Sequence, residues 1–486
     1  MKRVLLFLLV LLLVSAAAYA PAEEAFDSDP AHFTYEPLGD SGGIEITGYT
    51  GSSPNVEVPA EIDGRPVTSI GYQALGYRDD IVSLILPDSI TVLGEGALYY
   101  CEGLESLRLP SSLTAIEDSA LLGLSRLKSL ELPDTLTELG DRALAEMSAV
   151  TEIRIPAGLT RINNGVFGHF EKLQRVEIPE GVTSIGDDAF ECCYELKEIR
   201  IPEGVTEIGR TAFFSCSSLE EIDFPASLES IGSSPFWACE KLKRIGVAPG
   251  NTQLFVINDA LYSEGGRTLV CLPQALKPER CDVPQGVVTL GSKAFSQDSL
   301  KTVTLPDSLQ VIGDSSFSYC TSLTDLVIPE SVTVIKANAF LRCFSLTSLR
   351  LPDGLKELGP GAFQSCKALE EINLPEGITE IGQNTFWSCE SLSGIDIPGS
   401  VTSVGNYAFA ECHGLRRVVF PDSTVSLGDF VFRKCAGLEE VVIPDSVTEI
   451  GKDLFHQCEK LPAVIVGADS FAKTYCEEHG IPCTVR

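Results

Sequence analysis

One proline returns every 23 residues. Pro87, Pro110, Pro133, Pro156, Pro179, Pro202 and Pro225 keep that interval, and so do Pro306, Pro329, Pro352, Pro375, Pro398, Pro421 and Pro444. Fourteen regular units result, seven on each side of an interruption, with a shorter unit headed by Pro284 between them. A chain of 486 residues suggests about three domains on length alone. A fixed internal period overrides that count, because it means one stack of like coils.

The columns within a unit are nearly fixed. Apolar residues stand six, three and one before the proline, as Leu196, Ile199 and Ile201 stand before Pro202. Two more follow at three and six, as Val205 and Ile208. Gly stands at seven, Phe at eleven and Cys at fourteen, each in eleven of the fourteen units. The stretch "LKEIRIP" alternates with period two and predicts a short strand with one buried face. Proline ends it, since it offers no N–H. "EGVTEIG" predicts a turn that sends apolar residues inward, with Gly at a positive φ where the chain bends. "xxAFxxC" predicts a far wall made of one helical or 3₁₀ turn. No single coil can bury its apolar side; stacked coils can, with parallel strands about 4.8 Å apart. The predicted fold is an α/β-type solenoid, a right-handed curved coil of about 16 rungs with a parallel sheet on its inner face.

With those columns in place, the sequence resembles the BspA-like leucine-rich-repeat family, whose unit runs L-x-x-I-x-I-P-x-x-V-T-x-I-G-x-x-A-F-x-x-C. The likeness covers about residues 44–483. Ile46 to Gly71 is similar to the family's opening segment, Phe255 to Pro273 to an inserted β-hairpin, and Ser470 to Val485 to a closing helix and strand. Glu117, Asn163 and Lys336 depart from the Gly column, and Thr424-Val425 inverts the usual Val-Thr. The expected organisation is a signal peptide (1–20), an N-terminal β-hairpin cap with a first atypical rung (21–80), repeat block one (81–249), the inserted hairpin (250–283), repeat block two (284–460) and a C-terminal cap (461–486). The resemblance implies adhesion outside a bacterial-type cell.

The N-terminus points the same way. Lys2 and Arg3 precede an apolar run from Val4 to Val14, and Ala18-Tyr19-Ala20 offers a small-x-small cleavage site. The run is short for a membrane span. The expected product is secreted, extracellular or on the cell surface, with the periplasm as an alternative, and monomeric. Net charge is −32, which argues against nucleic acid and against an anionic membrane as partners.

Gly39-Asp40-Ser41-Gly42-Gly43 resembles the nucleophile loop of chymotrypsin-like proteases. Such a triad needs His and Asp earlier in the chain; His32 is the one histidine upstream, and the 38 residues before the motif are too few for a double barrel. The string is better explained as a turn between two strands. The chain has no H-E-x-x-H, no phosphate loop and no G-x-S-x-G beyond Gly39 to Gly43, which is not embedded between a strand and a helix, and its five His are scattered. It is expected not to be an enzyme and to need no cofactor.

The column cysteines (Cys101, Cys193, Cys216, Cys239, Cys320, Cys343, Cys366, Cys389, Cys412, Cys435, Cys458) continue the Phe wall and are expected to pack as buried thiols. Cys476, His479 and Cys483 form C-x₂-H-x₃-C, open to a zinc, a disulfide or a buried-cap reading. Cys271 and Cys281 are open to a bridge. No metal is expected. Acidic residues follow the proline in ten units, which predicts a solvated edge.

Outward positions two before the proline read Arg108, Glu131, Arg154, Glu177, Arg200, Asp223 in the first block. These alternating signs predict a self-paired ladder. The second block reads Thr304, Val327, Arg350, Asn373, Asp396, Val419, Val442. Asp325, Val327, Arg350, Glu371, Asn373, Asp396, Arg417, Val419 and Val442 are therefore the candidate binding face. Trp237 and Trp387, the only tryptophans, are a second candidate. The expected function is an adhesin-like scaffold binding a protein of host matrix, host cell or another microbe. A glycan-binding or envelope-assembly scaffold is the alternative, and an enzyme a distant one.

Overall fold

The computed structural model describes residues 25–39 and 42–486. The expected signal peptide (1–20) and Ser41 lie outside the described residues. Each coil has three sides. The first is, except before Pro133 and Pro398, a strand ahead of the proline, as in Glu152–Arg154, Arg175–Glu177 and Glu198–Arg200, paired parallel in register from rung to rung. The inner residues of these strands (Ile153, Val176, Ile199) are buried and the outer ones exposed.

The second side corrects the sequence reading. "EGVTEIG" is not only a turn. Its last residues form another parallel ladder, with Arg161–Ile162, Ser184–Ile185, Glu207–Ile208 and Ser230–Ile231 in successive rungs. The proline carbonyl accepts from the N–H three residues on, as Pro202 does from Val205 at 3.1 Å, so a tight corner joins the two strands. The Gly at seven also has a different reason. Gly209, Gly232 and Gly405 do not adopt positive φ. A Cβ at Gly209 would stand 2.4 Å from the Asp187 nitrogen, and one at Gly405 2.5 Å from the Gln383 nitrogen. Glycine is there because neighbouring rungs pass too close for a side chain.

The third side is not a helical or 3₁₀ turn. It is a run of tandem β-turns with left-handed residues at nine and thirteen after the proline, such as Asp188 (φ 56°) and Cys192 (φ 57°). That geometry aims alternate N–H groups along the stack. Gly165, Phe167 and His169 donate to the carbonyls of Asp187, Ala189 and Glu191 one rung on, at 2.7–2.9 Å. Beside it runs an Asx ladder. Asp118, Asp141, Asn164 and Asp187 each accept the N–H of the corresponding residue in the next rung, at 2.6–3.0 Å. Backbone groups on all three sides of the coil thereby pair from rung to rung.

Inside, Phe167, Phe190, Phe213 and Phe236 stack face to face at 5.3–5.8 Å. A longer pile runs from Phe295 through Phe317, Phe340, Phe363, Phe386, Phe409 and Phe432 to Phe455, at 4.9–5.7 Å. Buried side chains form two clusters that meet at the insertion. There Phe255–Ile257, Ala260–Ser263 and Thr268–Cys271 make an antiparallel meander, whose last strand pairs parallel with Thr289–Leu290 and restarts the second ladder. Phe33–Pro37 pairs antiparallel with Ile44–Tyr49 at the N-terminal end. At the other end helix Phe471–Glu478 packs beside the closing strand Cys483–Val485. No helix among the described residues is long and apolar enough to cross a membrane.

Candidate functional site

All sixteen cysteines are free. The column thiols do more than fill space. Each donates to a carbonyl one rung back, Cys101 to Leu75 at 2.8 Å and the other ten to the Phe carbonyl, as Cys389 does to Phe363 at 3.2 Å. Burial pushes the Cys320 and Cys412 thiols up to about 12 and raises those of Cys193, Cys343 and Cys389 as well. These are protonated, inert groups at neutral pH. Among the described residues no three His, Cys, Asp or Glu gather to hold a metal. His479 places Nδ1 2.9 Å from the Tyr475 carbonyl and stacks on that ring.

The outward strand columns therefore hold the chemistry. In the first block the alternating residues do face one another in register: Arg154 with Glu177, Glu177 with Arg200, Arg200 with Asp223. The ion pairs, however, go elsewhere. Arg154 reaches Asp134 at 2.7 Å and Arg200 reaches Glu180 at 2.6 Å, acids just past the proline of the preceding rung. Glu177 takes Arg175 at 2.8 Å, and Asp223 takes Arg244 at 2.7 Å. An arginine side chain is long enough to bypass the carboxylate directly opposite it. Arg154, Glu177, Arg200 and Asp223 are still paired within the first block, by a different set of partners.

The second block is less uniform than the sequence implied. Val327 stands on the outward face with 82% of its surface exposed. Asp325, Arg350, Glu371 and Asp396 are exposed along the neighbouring rungs. Arg350 has Asp353 at 3.5 Å. Arg417 is tied to Glu440, its register partner, at 2.6 Å. Val419 and Val442, also register partners, are half-buried. Asn373 is occupied by its own backbone frame. Its side-chain oxygen accepts the Leu351 N–H at 2.8 Å and its amide donates to the Leu351 carbonyl at 3.0 Å.

Trp237 and Trp387 lie on the turn wall, away from the strand face, and both are half-buried. Trp237 stacks on Phe214 at 4.8 Å, with the Lys293 ammonium 3.7 Å from its ring centre. The Trp387 indole nitrogen is buried with no acceptor. Neither joins the Val327 surface. Sequence reasoning missed a tyrosine group on the same wall, with Tyr72 and Tyr77 exposed and Tyr99 and Tyr100 half-buried. The signal was present: Tyr77 and Tyr100 are one repeat apart.

Compared with known proteins, the chain matches the description "BspA type leucine rich repeat region" over residues 55–169, 146–263, 288–416 and 333–462. No curated protein matches it. Among solved structures it is similar to a leucine-rich cell surface protein of Faecalibacterium prausnitzii, at 25% identity and TM-score 0.45, covering 94% of this chain and 98% of that one. A leucine-rich repeat protein of Bacteroides ovatus gives 23% identity and TM-score 0.38, over 96% and 100%. The pneumococcal vaccine antigen PcpA gives 18% identity and TM-score 0.43, over 95% and 98%. The repeat pattern fills most of the sequence, so the chain belongs to the BspA-type leucine-rich-repeat family.

Proposed function

We propose that this chain is an exported recognition scaffold, acting at or beyond the cell surface. It binds a protein partner of matrix, host-cell or microbial origin through the strand face of its second half. A leucine-rich solenoid offers a long regular surface, which suits a macromolecule better than a small substrate. Fold alone does not choose the partner. The observation that carries the reading is Val327, a β-branched apolar side chain standing almost wholly in water on a strand face. An apolar centre inside a polar rim is the anatomy of a protein–protein interface. Asp325, Arg350, Glu371 and Asp396 supply that rim. Asn373 serves it by fixing the Leu351 backbone. Net charge of −32 favours a partner surface with basic patches.

The test is surface plasmon resonance of the chain against immobilised fibronectin, laminin and collagen. Specific binding weakened at least tenfold by Val327→Asp, with the melting temperature unchanged, supports the reading. No binding to any of them, or binding indifferent to Val327→Asp, removes it.

A further inference from the structure

We propose that the turn wall of the first rungs carries a second binding site, for a neutral polysaccharide lying along the solenoid axis. It is separate from the strand face and does not rest on it. Tyr77 and Tyr100 occupy the same left-handed position in adjacent coils, with φ of 59° and 51°. Their backbones run in the ladder of the wall, Tyr77 N–H to the Tyr99 carbonyl at 2.7 Å and Tyr100 N–H to the Leu122 carbonyl at 2.8 Å. Their rings lie nearly parallel, 6.3 Å apart at 19°. Tyr99 stands edge-on to both, at 5.4 and 4.6 Å. Tyr77 is 64% exposed and Tyr72, on the same coil, 67%.

The next residue of that column is Gly123, with φ of 86°. A Cβ there would stand 2.4 Å from Tyr100 Cδ1. The missing side chain lets the Tyr100 ring lie flat across the third coil. Its hydroxyl then donates to the Glu146 carboxylate, two coils on, at 3.0 Å. Arg142 flanks Glu146 at 3.7 Å. His169 follows in the column, 3.5 Å from Glu191. Along the column the coils therefore present the Tyr77 ring, the Tyr100 ring lying over Gly123, the Glu146 carboxylate and the His169 imidazole.

This arrangement matches a sugar chain. The exposed Tyr77 ring, continued by the half-buried Tyr100 ring, offers an aromatic surface that pairs with the C–H face of a pyranose. The carboxylate, guanidinium and imidazole offer donors and acceptors to sugar hydroxyls in the same plane. One rung spacing is close to the length of one sugar residue, so a linear chain keeps register with the coils. The strongly negative field of the molecule excludes acidic polysaccharides.

The experiment is titration calorimetry of the full chain with linear hexasaccharides of β-1,4-glucose, β-1,3-glucose, β-1,4-mannose and α-1,4-glucose, and with oligogalacturonate. The expected result is binding of at least one neutral probe and no binding of oligogalacturonate. Tyr77→Ala with Tyr100→Ala should lower the affinity at least tenfold. Tyr77→Ala alone, at an exposed ring whose loss leaves the melting temperature unchanged, should lower it several-fold. Trp237→Ala should leave it unchanged. Four results overturn the proposal: silence from every neutral probe, affinity indifferent to both tyrosine variants, preference for oligogalacturonate, or tyrosine variants that instead abolish binding to a matrix protein.

Discussion

Phe363→Ala probes the stacked core most sharply. Phe363 has no solvent exposure. It lies between Phe340 and Phe386 at 5.4 and 5.7 Å, with interplanar angles of 4° and 9°. Its carbonyl also accepts the Cys366 N–H at 3.0 Å and the Cys389 thiol at 3.2 Å. Truncating a buried Phe costs about 3–5 kcal/mol, more when the site cannot collapse. Here it cannot, because Phe340 and Phe386 are each held by a further ring, Phe317 and Phe409. Each lost ring pair adds about 0.5–1.5 kcal/mol beyond area. The upper half of the range is therefore expected. Phe363 belongs to the second buried cluster, whereas residues 110–200 belong to the first. In a solenoid, coupling is to nearest neighbours. Hydrogen exchange read by mass spectrometry should accelerate across residues 340–386 and stay slow across 110–200. A uniform rise along the chain would refute the one-dimensional picture.

Thiol titration of the unreduced, denatured chain should find all sixteen cysteines reactive, and a value near zero would show the column cross-linked. Folding raises the buried thiols, so their contribution is complete below the unfolded value near 8.5 and is lost as pH climbs toward about 12, where Cys320 and Cys412 titrate in the fold. Urea unfolding should accordingly show stability falling above about pH 9, at up to about 1.4 kcal/mol per thiol per pH unit, and Cys320→Ala with Cys412→Ala should flatten that slope. Gly405→Ala, with its Cβ 2.5 Å from the Gln383 nitrogen, should cost about 1–3 kcal/mol by chemical denaturation; a neutral result would return the Gly column to a conformational role. Arg154→Glu with Arg200→Glu removes two exposed ion pairs and sets like charges opposite Glu177 and Asp223, so the melting temperature should drop, at about 0.2–1 kcal/mol per pair lost and a similar amount per like-charge contact made, and partner affinity should hold.

The solenoid was legible because burial repeats faithfully. Pro202 marks the corner after the first strand, and Phe213 and Cys216 mark the turn wall, by residue type alone. The ladder at Glu207–Ile208 was misjudged as a turn, because two alternating residues are too few to separate a short strand from a bend. The left-handed wall was not legible at all. Asp188, Cys192, Thr211 and Ser215 share its geometry, and they share no side-chain chemistry. The Gly column was visible, but its cause was inter-rung contact, which no single unit contains. The same holds for partner choice among charges. Arg154 next to Glu177 was foreseeable from register, whereas its bond to Asp134 depends on side-chain reach across the corner. Asn373 likewise appeared free until its grip on Leu351 was seen.

The central functional claim is that recognition sits on the outward strand face of the second half. Its most direct test is hydrogen-exchange footprinting of the chain saturated with whichever immobilised matrix protein binds it, beside the free chain. The account predicts new protection over residues 325–327, 348–350 and 371–373, absent in Val327→Asp, with residues 152–200 unchanged. Protection confined to residues 152–200, or to the wall around Trp237 and Trp387, would contradict it.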